Sequence, residues 1–266
     1  MVIGADASSE WYRALYGPDY RASVAGLLTP ERTAREVDFV LDITGLTPPG
    51  PIADVASGWG RHAVELATQG YDVIDVDLNP TYVNAARRLA RMRGIGSRTR
   101  FLVRDMRQIL PGPFALVQLL FMSFGFFSDQ DNFRVLSGWA SALKPGGIML
   151  LDVWNGDGFN ERFRPHEVWQ ANLALTVEGT RAYDPSTRRL AIRYTYRYRD
   201  GACRTYDALF RLYTRTELTT LLQAAGLDVW VWYGSLIGES WTSSGRRTVV
   251  LARRPTQEVG SPGPSS

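Results

Sequence analysis

Short apolar runs alternate with longer amphipathic segments through the middle of this 266-residue chain. Apolar runs of four to eight residues between glycines and prolines predict buried strands, and the longer segments predict helices. Regular alternation of the two predicts an α/β fold with a mostly parallel sheet that helices cover on both faces. The clearest strand segments are 52–54, 73–78, 115–121, 148–153, 229–233 and 248–252.

The segments on either side of this region have different patterns. Residues 1–50 predict a helical cap, which is broken at Gly17-Pro18 and resumes at Thr29, where a threonine can cap the helix and Pro30 suits its first turn. The core is expected over residues 51–254. Residues 255–266 are rich in Pro, Gly and Ser, so this tail is expected to be disordered.

Residues 160–214 predict a small antiparallel β insertion after the fifth strand. Apolar and polar residues alternate there with a period of two, and Asp200-Gly201 is typical of a two-residue hairpin. One predicted face carries Leu190, Ile192, Tyr194, Tyr196 and Tyr198. We expect this sheet to act as a lid or as a subunit contact in a homo-oligomer.

Composition limits the possible functions. A single cysteine excludes an internal disulfide and a cysteine-rich metal site, so no bound metal is expected. The longest apolar run, Phe114 to Met122, is too short for a membrane helix, and the N-terminus has no leader pattern, which predicts a cytoplasmic protein. The net charge is only +3 and the arginines are dispersed, so no nucleic-acid partner is expected.

Residues 52–63 contain the most informative motif. An apolar run ends in Asp54, a turn with Gly58 and Gly60 follows, and the next predicted strand places Asp77 at its carboxyl end. Glycines allow a ligand to approach the backbone closely, and an acid at the end of the second strand can accept hydrogen bonds from ribose hydroxyls. The motif therefore predicts a site for a nucleoside.

Two classes of nucleoside ligand fit this motif. Its glycine spacing also satisfies the loose dinucleotide fingerprint, so a nicotinamide oxidoreductase is one alternative. Asp54, however, would repel a pyrophosphate at the start of the following helix. A carboxylate suits a ligand with a cationic amino group, and S-adenosylmethionine carries an ammonium and a sulfonium, so we favour the methyl donor.

The chain resembles the class I S-adenosylmethionine-dependent methyltransferases. Four segments carry the resemblance in the expected order, namely 54–60, 76–78, 104–106 and 143–147. The resemblance implies a Rossmann-like fold with seven strands. This chain departs from the family pattern at Ala56, where glycine is usual.

The resemblance also implies the cofactor contacts. The glycine turn is expected to flank the methionine portion, Asp77 to hold the ribose, Leu78 to pack on adenine, and Asp105 with the Met106 amide to read the adenine edge. Arg61, in the first turn of its helix, is a candidate for binding the methionine carboxylate. The complete set of cofactor-binding candidates is Asp54, Ala56, Gly58, Gly60, Arg61, Asp77, Leu78, Asp105, Met106 and Phe121.

The acceptor pocket is expected to be aromatic and to lie between the cap, residues 122–127 and the inserted sheet. The candidate catalytic residues are Tyr12, Tyr16, Tyr20, Phe124 and His166, the last as a possible base. A hydroxyl acceptor usually needs a base or a metal, whereas an amine needs neither. The chain has only two histidines, which favours nitrogen as the acceptor atom.

These observations predict a small-molecule N-methyltransferase. The cap and the insertion resemble the layout of bacterial enzymes that methylate amino sugars and related amines in antibiotic biosynthesis. One alternative is a small-molecule O-methyltransferase that uses His166 or a tyrosine as its base. Another is an enzyme or a binding module that uses S-adenosylmethionine without transferring methyl groups.

Overall fold

A seven-stranded sheet forms the centre of the protein in a computed structural model, which describes residues 10–256. Its strands are β1 (Ile52–Val55), β2 (Val73–Asp77), β3 (Thr99–Val103), β4 (Phe114–Leu119), β5 (Leu143–Trp154), β10 (Asp228–Tyr233) and β11 (Arg247–Arg253). They lie in the order β10-β11-β5-β4-β1-β2-β3. Only β11 runs antiparallel to its neighbours, which confirms the predicted mostly parallel α/β fold.

The helices pack on both faces of this sheet and cap one of its edges. They are α1 (Trp11–Leu15), α2 (Pro18–Val24), α3 (Pro30–Thr44), α4 (Arg61–Thr68), α5 (Pro80–Met92), α6 (Asp129–Ser141), α7 (Phe159–Arg162) and α8 (Arg215–Ala224), with a single 3₁₀ turn at Gly96–Arg98. None of these helices is long and apolar enough to cross a membrane. The predicted tail lies outside the described residues except for Pro255 and Thr256.

The register of the central strands determines where a ligand can lie. Every residue of β1 and β4 is buried, so these two strands form the middle of the core. Val55 pairs with Val76 on one side and with Leu119 on the other, so the carboxyl ends of three parallel strands meet at one edge. In sheets of this kind, ligands bind outside that edge.

Helix α3 begins and ends as the sequence predicts. The Thr29 side chain accepts a hydrogen bond from the Arg32 amide, and Gly45 closes the helix in the left-handed conformation at φ 62°. Its buried face carries Val37 and Val40 but also Glu36, which is 1% exposed. A carboxylate in an apolar stripe needs polar partners, and Glu36 finds them at the carboxyl edge of the sheet.

A second sheet of four antiparallel strands lies between β5 and α8. It consists of β6 (His166–Asn172), β7 (Leu175–Asp184), β8 (Arg189–Tyr198) and β9 (Cys203–Arg211), in that order. The predicted hairpin is present, but its loop spans the four residues 199–202, because β8 ends at Tyr198 and β9 begins at Cys203. We call β6 to β9 the insertion sheet.

The insertion sheet packs against the N-terminal cap. The ring of Trp11 in α1 lies 4.8 Å from the ring of Phe210 in β9, edge to face. Residues 122–127 lie beside this contact, since the Gly125 carbonyl accepts a hydrogen bond from the Arg211 amide at 2.8 Å. The cap, the insertion sheet and the loop after β4 therefore form one continuous packed unit over the sheet edge.

Gly125→Ala is expected to lower the free energy of unfolding by at least about 2 kcal/mol. An added Cβ would lie 2.4 Å from the Arg211 carbonyl oxygen, and the backbone φ of 98° is unfavourable for any other residue. Gly226→Ala is the matched control, because its φ is 77° but nothing lies within 4 Å of the added carbon. The control should lose only about 1 kcal/mol in urea unfolding; equal losses would show that the contact with Arg211 is unimportant.

Candidate functional site

A cavity of about 300 Å³ lies at the carboxyl edge of the sheet, beneath the cap. That volume is at the lower end of the range for sites that hold small molecules and cofactors. The residues that line it come from the cap, from the ends of β1 and β2, from the loops that follow β1 to β4, and from the first turns of α4 and α5. Tyr12, Tyr16, Tyr20, Asp54, Ala56, Gly58, Arg61, Asp77, Leu78, Asp105, Met106 and Phe121 are among them.

The turn after β1 exposes its backbone to this cavity. Ala56, Gly58 and Gly60 all have positive φ, at 54°, 65° and 71°. Nothing lies within 4 Å of the position where a side chain at Gly58 would begin, so this glycine leaves open space. Gly60 does not line the cavity: a side chain there would lie 2.7 Å from Ala86, so this glycine allows α4 to pack on α5 instead.

Asp77 is held at the end of β2 by two backbone amides. Its Oδ2 accepts from the Gly58 amide and its Oδ1 from the Asn79 amide, each at 2.7 Å. Burial raises the pKa of Asp77 to about 6, although these two hydrogen bonds oppose the rise. Each carboxylate oxygen has a further lone pair, so Asp77 can still accept from a bound diol.

Arg61 has one end fixed and one end free. Its Nη1 donates to Glu36 at 2.5 Å and to Thr33 at 3.1 Å. Its Nη2 is buried and has no hydrogen-bond partner in the part of the chain that the structure describes. A buried guanidinium nitrogen without an acceptor is unfavourable, so the arrangement suits an anionic ligand group that binds beside it.

Asp54 provides a buried acceptor, as Arg61 provides a buried donor. It is 1% exposed, and its Oδ2 has no hydrogen-bond partner among residues 10–256. Burial raises the pKa of Asp54, and Asp75, its fully buried neighbour on β2, adds a second carboxyl at the same level of the sheet. An ammonium group placed against Asp54 would supply the missing donor and would favour the ionised carboxylate.

His62 follows Arg61 and also lines the cavity. Its Nε2 lies 3.0 Å from Glu36 Oε2, and burial, with Arg61 beside it, lowers the pKa of His62 to about 4. The imidazole is therefore neutral near pH 7 and is a weak base. Glu36 thus orients both Arg61 and His62, while Arg32 binds its other oxygen at 2.9 Å.

Asp105 lies at the opposite end of the cavity. Arg107 binds both of its oxygens, at 3.0 and 2.7 Å, and although burial opposes the shift, these bonds lower the pKa of Asp105. The same guanidinium donates to the Tyr12 hydroxyl at 3.2 Å. Tyr12 therefore lines the cavity at the Asp105 end, with its hydroxyl already in use.

Tyr16 and Tyr20 form the part of the wall that the cap contributes. Their rings meet edge to face at 4.8 Å, and Tyr16 stacks on Phe126 at 5.6 Å. Neither hydroxyl has a hydrogen-bond partner within the described part of the chain. Burial raises the pKa of both tyrosines well above 10, so both hydroxyls remain neutral at physiological pH.

Two predicted catalytic residues are not at the cavity. His166 lies on β6 with its side chain 53% exposed and its Nε2 3.0 Å from Glu178, so it is a surface residue of the insertion sheet. Phe124 is buried against the ring of Tyr213 at 5.4 Å. Positive φ angles at Phe121 and Met122 turn the chain after β4, so Phe126 and Phe127 line the cavity instead.

Several residues at the site were not among the candidates. Glu36 could have been recognised as the one acid on the buried face of α3. Asn79 and Tyr82 line the cavity and also hold the cap. The side-chain Nδ2 of Asn79 donates to the Tyr16 carbonyl at 2.9 Å, and the Tyr82 hydroxyl donates to the Gly17 carbonyl at 2.6 Å. These contacts span more than sixty residues, and no local pattern in the sequence indicates them.

The unpartnered atoms fit a zwitterionic nucleoside. Arg61 Nη2 offers a donor to a carboxylate, Asp54 Oδ2 offers an acceptor to an ammonium, and Asp77 offers acceptors to a diol. The methionine end and the ribose of S-adenosylmethionine carry these groups. A pyrophosphate would meet the buried carboxyl of Asp54 and is a poor fit.

Comparisons with known proteins agree with this fit. Residues 52–147 match the family model described as a methyltransferase domain. A glycine/sarcosine N-methyltransferase from Parasynechococcus marenigrum is 34% identical over 132 residues, which are 47% of this chain and 45% of that relative. The chain thus aligns with about half the length of this curated relative.

Solved structures share the fold over most of the chain. The CcbJ methyltransferase from Streptomyces caelestis superposes with a TM-score of 0.74 at 18% identity, covering 84% of this chain and 90% of that one. CalS10 is an amino pentose methyltransferase from Micromonospora echinaspora involved in calicheamicin biosynthesis. Its SAM-bound structure superposes with a TM-score of 0.65 at 23% identity, covering 90% of this chain and 98% of that one. The fold is therefore that of S-adenosylmethionine-dependent methyltransferases.

Affinity for S-adenosylhomocysteine is expected to fall as the pH is lowered from 7.5 to 5. The pKa of Asp77 is about 6, so acidification protonates the carboxylate that would accept the ribose hydroxyls. Titration calorimetry should show a loss of about tenfold at one pH unit below that pKa. Asp77→Asn should bind weakly at pH 7.5 and depend less on pH; a variant with wild-type affinity would remove Asp77 from the ribose site.

Proposed function

We propose that this chain, which has a methyltransferase domain within the fold of S-adenosylmethionine-dependent methyltransferases, methylates an amine nitrogen of a small molecule. S-adenosylmethionine is the cofactor of this class, and when bound it supplies an activated methyl group on a sulfonium. The observation that carries the proposal is the pair of neutral hydroxyls of Tyr16 and Tyr20, which line the cavity and have no hydrogen-bond partner among residues 10–256.

Different residues of this chain would bind different parts of the cofactor. Asp77 would hold the ribose, Arg61 and Asp54 would bind the amino-acid end, and Asp105 with Met106 would contact adenine. Each of these side chains lines the same cavity. Positioning two reactants in this way can lower a barrier by as much as about 7–11 kcal/mol, so no covalent step by the protein is required.

The described groups that could act as a base are already in use, which favours an amine over a hydroxyl. We assign the cavity carboxylates Asp54, Asp77 and Asp105 to the cofactor. His62 is neutral and bound to Glu36, and His166 lies on the insertion sheet. The tyrosine hydroxyls cannot act as phenolate bases because burial raises their pKa. An amine already carries a nucleophilic lone pair when it is unprotonated, whereas an alcohol must lose its proton during attack.

The tyrosine wall can orient such an amine. A neutral hydroxyl can accept a hydrogen bond from an N–H and so direct the nitrogen lone pair away from itself. Methylation leaves a positive charge on nitrogen, and aromatic faces attract such a charge by roughly 0.5–2 kcal/mol. Tyr16, Tyr20 and Phe126 supply three adjacent rings.

The names of the similar proteins point to the same chemistry. Glycine, sarcosine and amino pentoses are all amines, and CalS10 belongs to a natural-product pathway. We therefore extend the proposal to an amine of a natural product or an amino sugar as the acceptor. His166 has no part in it, because it does not line the cavity and its exposed imidazole lies 3.0 Å from Glu178.

The test is to incubate the purified protein with S-adenosylmethionine and a panel of amines, including glycine, sarcosine and amino sugars, beside matched hydroxyl analogues. The proposal expects a product heavier by one methylene group from an amine but not from its hydroxyl analogue. Methylation of the hydroxyl analogues alone would replace it with O-methylation. Binding of S-adenosylhomocysteine without any methylated product across the panel would favour a non-methylating role.

Tyr20→Phe is expected to lower kcat by about fivefold, because a hydrogen bond between uncharged groups contributes about 1 kcal/mol. Affinity for S-adenosylhomocysteine should be unchanged, since the ring remains. Tyr71→Phe is the matched control: it removes a hydroxyl that donates to the Leu46 carbonyl, and Tyr71 does not line the cavity. Equal kcat for both variants and the wild type would show that Tyr20 only packs.

A further inference from the structure

The segment that carries Tyr20 is short and cannot hold its own position. Helix α2 has seven residues and follows the break at Gly17-Pro18. Isolated helices of this length are unstable in water, so the position of α2 depends on contacts with other parts of the fold. Asn79 and Tyr82 fix the backbone just before it, at Tyr16 and Gly17. Hydrogen bonds from the insertion sheet hold the helix itself, and Arg21 also lies over the ring of Trp59.

Asp19 makes the most specific of these contacts. It is 2% exposed, and three donors from β8 and β9 converge on its carboxylate. The Tyr198 hydroxyl and Arg204 Nη1 donate to Oδ1, both at 2.7 Å, and the Tyr206 hydroxyl donates to Oδ2 at 2.6 Å. A buried carboxylate is stable only where its hydrogen bonds are made, so these donors select one position for α2.

The neighbouring residue faces the cavity. Successive side chains on a helix point in different directions, so Asp19 reaches the insertion sheet while Tyr20 lines the acceptor wall. Asp19 and Tyr20 are adjacent residues, so a single peptide unit links the positions of the two side chains. Any shift of Asp19 toward or away from β9 moves the Tyr20 hydroxyl as well.

We propose that Asp19 is a positioning residue, which fixes the Tyr20 hydroxyl in the acceptor wall through its bonds to Tyr198, Tyr206 and Arg204. The insertion sheet then supports the acceptor site, although its strands contribute no residue to the lining of the cavity. The expected effect of Asp19 on turnover rests on the proposed function. The coupling between α2 and the insertion sheet does not depend on which acceptor is methylated.

The first experiment measures the position of α2 without any activity. Hydrogen exchange of the amides of residues 19–24 is compared in wild type, Asp19→Asn and Tyr206→Phe. We expect exchange about tenfold faster in both variants, with residues 52–77 unaffected. Asp207→Asn is the matched control. Asp207 follows Tyr206 on β9, and its loss breaks an ion pair with Arg193 on β8 without touching α2. Unchanged exchange in both variants would overturn the proposal.

The second experiment asks whether Asp19 acts through Tyr20. With an acceptor that the wild-type protein methylates, Asp19→Asn should lower kcat/KM for that acceptor by about fivefold, the loss expected for Tyr20→Phe, and leave the Kd of S-adenosylhomocysteine within about twofold. In the Tyr20→Phe background, the same change should produce little further loss. Independent losses that multiply, or a parallel loss of cofactor affinity, would show a merely structural role.

The two proposals can fail separately. If no amine is methylated but hydrogen exchange at the amides of residues 19–24 is faster in Tyr206→Phe, the coupling of α2 to the insertion sheet stands and the proposed function falls. If an amine is methylated and the exchange of the variants equals that of wild type, the proposed function stands and the role of Asp19 falls. Tyr206→Phe removes only one oxygen atom, so it also covers the case in which Asp19→Asn does not fold.

Discussion

Buried charge without a protein partner is the constraint on which this site depends. Asp54 Oδ2 and Arg61 Nη2 are both buried, both at the cavity, and both unpartnered in the described chain. Leaving such groups unsatisfied is unfavourable by at least about 1–3 kcal/mol each, so the surrounding structure must hold them in place. The central sheet holds Asp54, and Glu36 holds one side of Arg61. A ligand that carries an ammonium and a carboxylate would satisfy both atoms, and binding would thus relieve an unfavourable feature of the free protein.

The acceptor side depends on a different set of contacts. The cap presents tyrosine rings to the cavity, yet its helices α1 and α2 are too short to be stable alone. The core holds the junction between them at Tyr16 and Gly17, and the insertion sheet holds α2 at Asp19. The aromatic packing of Trp11 on Phe210 adds an apolar contact to the same interface. The part of the cavity wall that Tyr16 and Tyr20 form is therefore assembled from segments that are distant in the sequence.

Local patterns predicted the parts of the structure that local physics determines. The strands, the capped start of α3 and the glycine turn each follow from neighbouring residues, and Ala56, which the family pattern gives as glycine, does have the positive φ that favours glycine. The pattern could not predict the turn at Phe121 and Met122, where two bulky residues adopt positive φ because the Phe121 amide bonds Asp152 at 2.7 Å. That turn moves Phe124 away from the cavity. The surface position of His166 was missed for a related reason: it depends on how the insertion sheet is oriented, which the alternation of apolar and polar residues does not indicate.

The two halves of the site therefore carry different kinds of information. The candidate residues for the nucleoside lie within 54–121, inside the segment that matches the methyltransferase domain. Tyr16 and Tyr20 lie outside that segment, as do the donors that bind Asp19. Similarity over residues 52–147 thus supports the choice of methyl donor, whereas the choice of acceptor has to be argued from the cap and its contacts. A protein with this division can change its acceptor through the cap and the insertion sheet while the carboxylates and Arg61 at the sheet edge stay the same.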